Sequence, residues 1–334
     1  MSVLLEVEHV TTYRYARPVE FSAHRVLFHP RTAHDIRVLS TELEVSPASR
    51  QRWIHDVFSN SVAIVEPLVP AAELRFTVRF TIEHHGTPNH ELPVAPEAEL
   101  YPFEYNADDR NDLSGFIPAQ YPDDAAAVRD WVAQFLPRQG RIRTRDVLTN
   151  INEGIRNGFG YAARDAAGTQ RPALTLSLGT GTCRDFALLM MEAARGLGLA
   201  ARFVSGYIYD PALDLAPAPN DPLAPAGAAD SRVDSRVDSQ VDSRDAGGTQ
   251  GSGATHAWLQ VFLPGAGWVP FDPTNMLYGG TDLIRVAYTR TPEQAAPVSG
   301  GWTGSANDFQ GMSVEVHVKR LSSVPAEGLD SVAA

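Results

Sequence analysis

Between Leu74 and Ile82 apolar and polar residues alternate without a fault, LRFTVRFTI. Such period-two patterning over β-branched and aromatic residues is that of an antiparallel strand with one dry and one wet face. Leu39–Val45 (LSTELEV) alternates well and Val3–Val10 (VLLEVEHV) loosely. Residues 1–87 are therefore expected to form an N-terminal, small antiparallel β-sandwich-like domain. Residues 88–122 are rich in Pro, Asn, Asp and Glu without a sustained period, and are expected to be a linker that wraps the next domain.

Beyond residue 123 the period becomes helical. Ala126, Val128, Trp131, Val132 and Phe135 share one helix face, with Asp123 and Asp124 expected as acidic caps. Val147, Leu148, Ile151 and Ile155 mark a second helix, opened by Thr144 or Asp146. The run CRDFALLMMEAARGL from Cys183 to Leu197 is a third, closed by Gly198. Strands are expected over Ala201–Tyr209, His256–Leu263, Trp268–Phe271 and Met312–Val318. Helices followed by antiparallel sheet give an α+β class for a domain spanning 123–320, with 321–334 as a C-terminal tail.

Residues 210–255 interrupt that domain with an insertion rich in Ala, Pro, Asp, Ser and Gly. Within it, SRVDSRVDSQVDSR (Ser231–Arg244) repeats a tetrapeptide. The aspartates suggest calcium, but the glycine-bearing nonapeptide of calcium-binding β-rolls is missing. Little apolar surface is available to offset ordering entropy, so a flexible loop is expected.

Composition narrows the function classes. A net charge of -12 disfavours nucleic-acid binding, which needs clustered Lys and Arg. One cysteine cannot form an internal disulfide, the N-terminal residues lack a signal-peptide pattern, and no run of about 20 apolar residues occurs. The expectation is a reduced, cytoplasmic protein without membrane or nucleic-acid partners. No H-E-x-x-H, P-loop, G-x-G-x-x-G or G-x-S-x-G is found, and no metal or cofactor is expected.

The single cysteine sits in GTGTCRDFA (Gly179–Ala187), after two glycines and at the start of a helical run. The first turn of a helix favours an anion, which is the reactive form of a thiol. Gly179 and Gly181 would permit a tight strand-to-helix turn and close approach of a substrate, with the Cys183 N–H free to donate to an oxyanion. A lone cysteine is otherwise commonly a small core residue. Histidine placement bears on the choice: eight of ten lie between His9 and His90, and His256 alone falls between Glu91 and Val316. His256–Leu263, Pro264–Gly267 and Trp268–Asn275 read as a hairpin in which Asp272 lies opposite or diagonal to His256. Asp272 could then fix the imidazole tautomer, although an acid before Pro273 is also an ordinary turn residue. Asp185 is expected to cap the helix or form a salt bridge near its start, Phe159 and Tyr161 to pack in the core with cleft lining as the alternative, and Trp258 and Trp268 to pack in the core.

Three stretches, GTCRDFALLMMEAARGLGLAARFVSGY, THAWLQVFLPGAGWVPFDPTN and TTYRYARPVEFSAHRVLFHPR, resemble bacterial transglutaminase-like proteins. The resemblance covers nearly the whole chain apart from 210–255. It implies an N-terminal β-domain joined to a papain-like, transglutaminase-core domain with a Cys-His-Asp triad. Cys183 would be the nucleophile, His256 the base and then the acid, and Asp272 its orienter. The implied chemistry is a thioester acyl-enzyme formed from a peptide or protein amide, resolved by water or by an amine. The chain departs from the family in its long loop before His256 and around Arg290–Gly301. A cysteine peptidase or amidase is the leading expectation, with amine transfer or a non-catalytic binding module as alternatives.

Overall fold

The structure is a computed structural model that describes residues 2–86, 93–163, 168–211, 253–279 and 282–322. The Ser231–Arg244 repeat, most of the 210–255 insertion and most of the tail lie outside the described residues.

Six strands open the chain: β1 (Val3–Phe21), β2 (His24–His29), β3 (Ile36–Ser46), β4 (Ser49–His55), β5 (Ser61–Pro67) and β6 (Ala71–His84). Leu74, Phe76, Val78, Phe80 and Ile82 all point into the core, as the alternation requires. β6 pairs with β1 in the register Leu5↔Ile82, Val7↔Phe80. The sheet holding β1, β6 and β3 faces a second one built on β2, β5 and β4, and Phe76 and Phe80 share a core cluster with Val26, Phe28 and Val65.

The segment that follows is less open than its composition suggests. β7 (Leu100–Tyr101) is followed by helix α1 (Ala107–Asp112), and the Tyr105 hydroxyl donates to the Phe262 carbonyl at 2.8 Å, strapping this stretch onto the second half of the molecule. Next come α2 (Ala125–Val132), β8 (Ile142–Arg143), which pairs with β7, and α3 (Thr144–Gly158). Asp124 does not cap α2. Its carboxylate takes Arg171 at 2.7 Å and the Ala173 N–H at 3.2 Å, holding the start of a later helix instead.

The remaining elements are β9 (Gly160–Tyr161), α4 (Pro172–Leu178), β10 (Thr180–Gly181), α5 (Cys183–Gly196), β11 (Ala201–Ile208), β12 (His256–Leu263), β13 (Gly267–Asp272), β14 (Leu277–Tyr278) and β15 (Leu283–Thr289). β14-β13-β12-β11-β15 is one antiparallel sheet in that order. Ala257, Leu259, Val261 and Leu263 of β12 share a core with Leu188, Leu189 and Met191 of α5, so the central helix lies against one face of this sheet. Nearly every residue from Cys183 to Arg195 is buried. Glu192 and Arg195 are tolerated there because they pair at 3.3 Å. Glu192 also accepts the Gln120 and Tyr121 N–H groups, and Arg195 donates to the Ala201 and Arg290 carbonyls.

The expected extent of the second domain, 123–320, needs correction. β16 (Val298–Ser299), β17 (Trp302–Thr303) and β18 (Phe309–Arg320) return to the N-terminal sheets. β18 pairs along β1 from Leu5↔Arg320 to Thr12↔Ser313. Tyr207, Ile284 and Val286 of the second sheet, and Tyr209 just beyond β11, also enter the N-terminal core, so the two halves share apolar interior. Among the described residues no helix is long and apolar enough to cross a membrane.

Candidate active site

Ahead of the cysteine the chain leaves α4, forms the two-residue strand β10 and turns through Thr182 into α5. Gly179 closes α4 in the left-handed region (φ 64°), where a side chain would be strained. Gly181 then makes a parallel bridge to Tyr161, with Thr180 opposite Gly160. A Cβ on Gly181 would lie 3.0 Å from the Asp185 side chain and 3.1 Å from Phe186. The glycine therefore admits the start of α5 itself, where a substrate had been expected.

Thr182 is the extended N-cap of α5 and Cys183 its first helical residue. The N–H at that position has no partner within the helix, so it is available to a ligand. Asp185 acts as the expected cap: its Oδ2 accepts from the Thr182 N–H at 2.9 Å and the Thr182 hydroxyl at 2.8 Å, and its Oδ1 from the Gln170 N–H at 2.7 Å. This buried cap fixes the backbone on which the thiol rides.

His256 opens β12, paired with Gly206 of β11. The hairpin register pairs Leu259 with Phe271 and Leu263 with Gly267. Continued by one residue, it sets Asp272 opposite Trp258 and diagonal to His256, the geometry expected of the hairpin. His256 Nε2 donates to Asp272 Oδ2 at 2.8 Å, with both side chains fully buried. Asp272 further accepts from the Thr274 N–H at 2.9 Å and the Asn275 amide at 2.9 Å.

Burial alone would lower the His256 pKa, but the Asp272 carboxylate outweighs it, and the ring is raised to about 10 with a smaller contribution from Cys183. Asp272 shows the complementary balance. Burial pushes its carboxyl up, and His256, Asn275 and the Thr274 N–H bring it below the ordinary range. The Nδ1 atom of His256 is buried without a hydrogen bond of standard geometry, and the Cys183 thiol acts on the ring as a neighbouring charge and loose hydrogen-bonding partner. The three expected residues thus share one site. Cys183 is the most accessible of them, at 6% exposure.

For Tyr161 core packing was the favoured expectation and cleft lining the alternative. It does pack on Phe186, with ring centroids 6.4 Å apart, but it also interacts with the Cys183 thiol. Burial, then the thiol, raises its pKa, so the hydroxyl remains a donor beside the sulfur. Nothing in NGFGY separates such a tyrosine from a packing one, because the β9–β10 bridge that places it pairs residues 20 apart. Asn275 was also passed over, although an amide three residues after Asp272 in DPTN lies within reach of that carboxylate.

Comparison with known proteins gives two family-model matches. Residues 5–83 match the bacterial transglutaminase-like N-terminal region, and residues 124–273 match the transglutaminase-like superfamily. A Mycobacterium tuberculosis protein described as uncharacterized is 27% identical over 335 residues, covering 96% of this chain and 93% of that one. A Mycobacterium leprae protein, also described as uncharacterized, is 23% identical over 321 residues, covering 95% and 99%. The crystal structure of a "putative cysteine protease" from Cytophaga hutchinsonii has the same fold, with a TM-score of 0.64 at 16% identity over 97% of this chain and 93% of that one.

Proposed function

The chain belongs to the transglutaminase-like superfamily, and on that premise we propose that it is a thiol-dependent acyl-transfer enzyme that cleaves a peptide-like amide. Cys183 serves as nucleophile, His256 as proton carrier and Asp272 as its orienter. The observation that carries this reading is the fully buried His256–Asp272 pair, held charged beside the chain's one thiol at a helix start. A packing cysteine needs no such neighbour.

In the proposed cycle the sulfur attacks the amide carbonyl and forms a C–S bond, while the π electrons move onto oxygen. The free Cys183 N–H receives that oxyanion. As the intermediate collapses, the amine leaves with the proton from His256 Nδ1, and a thioester remains on Cys183. Water then attacks the thioester, His256 accepts its proton, and the carboxylic acid departs as the thiol is restored. Throughout, Asp272 keeps the Nε2 proton in place so that Nδ1 faces the sulfur.

The test is intact-mass spectrometry after brief exposure to a pool of peptides, with and without a fluorescent primary amine. A thioester adduct on Cys183, absent in Cys183→Ala and strongly reduced in His256→Ala, is the expected result. Product carboxylate marks hydrolysis, and incorporated amine marks transfer. A thiol that takes up neither peptide acyl groups nor iodoacetamide at pH 6 would overturn the proposal.

A further inference from the structure

The face of the second sheet turned away from α5 carries a feature that the acyl-transfer chemistry leaves unused. Arg202 on β11 lies between two aromatic rings, with its guanidinium carbon 3.8 Å from the Tyr288 ring centre and 4.1 Å from that of Trp268. Its Nε donates to Gln260 Oε1 at 2.8 Å. No carboxylate is within ion-pair distance of it among the described residues. Beside it opens a cavity of about 370 Å³ between this sheet and the loop that follows β2, reaching the surface past the exposed residues Thr32 and His34. Cys183, Tyr161, His256 and Asp272 do not line it.

We propose that this cavity is a binding site for a small oxyanion ligand, a carboxylate- or phosphate-bearing molecule, whose charge is met by Arg202 and Arg31. Three arginines line it, and Asp35 is the one acid among the lining residues. Both Asp35 oxygens are engaged by Arg285, one of them at 2.7 Å. Arg31 donates to the Tyr288 hydroxyl at 3.0 Å and has no carboxylate partner among the described residues. Among the described residues two guanidinium charges therefore have no carboxylate partner, in a protein of net charge -12.

Leaving a cation this enclosed without a counter-charge is costly. Burial drags Arg202 down to about 9, which records that cost. The aromatic faces return only part of it, since a ring quadrupole is weaker than a full charge. A planar guanidinium fork suits bidentate capture of a carboxylate or phosphate. A volume near 370 Å³ lies at the small end of ligand pockets, which indicates a metabolite-sized molecule in place of a peptide. Trp258 lines the cavity and stacks on the His256 ring at 6.0 Å, so an occupant would share a wall with the candidate active site.

Full-length protein is to be titrated with inorganic phosphate and, separately, with glutarate, against sodium chloride at matched ionic strength. Tryptophan emission and Tm are the readouts, since Trp258 and Trp268 both line the cavity. A saturable emission change with a raised Tm is expected for phosphate or for the dicarboxylate, and the responding probe names the chemistry. Arg202→Met should weaken that binding at least tenfold. Arg31→Met at the half-exposed rim should weaken it also, and this variant carries the test if Arg202→Met does not fold. The proposal is overturned if neither probe gives a saturable response, or if both variants respond as the parent does. It also fails if Arg202→Met is destabilised while the parent responds to no anion, because the arginine is then only a packing cation.

Discussion

His256 and Arg202 lie on neighbouring antiparallel strands, and their surroundings drive protonation in opposite directions. For both, burial favours the neutral form. At His256 a carboxylate 2.8 Å away reverses that pressure and raises the ring to about 10. At Arg202 two aromatic faces at about 4 Å do not, and the guanidinium falls to about 9. A full counter-charge at contact outweighs desolvation, whereas a quadrupole offsets only part of it. Among the described residues the first group has its counter-charge at contact, and the second has none.

The sharpest way to break this contrast is Asp272→Asn. Without the carboxylate, burial should prevail at His256 and bring its pKa below the ordinary 6.5, as read by NMR titration of the ring. Amide turnover should fall by about 10³–10⁴-fold, the scale for losing the group that orients a catalytic histidine. An imidazole that stays near 10 in the variant would show that Asp272 is not the cause.

The same pair sets a pH profile of stability. The pKa of His256 is raised on folding, so its contribution is complete below about 6.5 and decays as pH climbs toward about 10. Asp272 is depressed, so its contribution is present above about 3.8 and lost as pH falls further. Urea midpoints should therefore plateau between about pH 4 and 6.5, and Asp272→Asn should remove the decline on the alkaline side. A parent protein equally stable at pH 6 and pH 9.5 would contradict the assignment.

A second paired charge extends the comparison. Glu192→Ala leaves Arg195 buried and frees the Gln120 and Tyr121 N–H groups. The expected loss is about 3–5 kcal/mol by urea denaturation, as for removing one member of a buried ion pair. A loss below about 1 kcal/mol would mean that water reaches the site. The smallest effect is expected at Tyr161→Phe, which removes a hydroxyl beside the thiol and keeps the ring on Phe186. Turnover should drop about tenfold or less, on the scale of one auxiliary hydrogen bond, with Tm nearly unchanged. A 10³-fold loss would promote the tyrosine to a main participant.

Much of this site could be read from residue order because it is assembled from local units. The His256–Asp272 diagonal follows from one hairpin with a short turn, and the placement of Cys183 follows from a helix start. Pairings between distant segments were not legible. Alternation in Met312–Val318 shows which residues face a core, but not that the partner strand is β1, some 300 residues earlier. β15 escaped notice because LIRVAYT is buried on both faces and lacks alternation. The seven residues of α4 are too few, and too rich in Ser and Thr, to show a helical period. The Arg202 stack draws on three strands, β11, β13 and β15, and no single stretch contains it.

The long pairing of β1 with β18 also bears on how the molecule is made. β1 is synthesised some 300 residues before the strand that covers this edge. Until then an open sheet edge invites pairing with other nascent chains. Tyr207 and Ile284 lean on that same sandwich, so the second sheet also depends on its closure. Arrival of β18 would thus complete the support of both halves of the molecule in a single step.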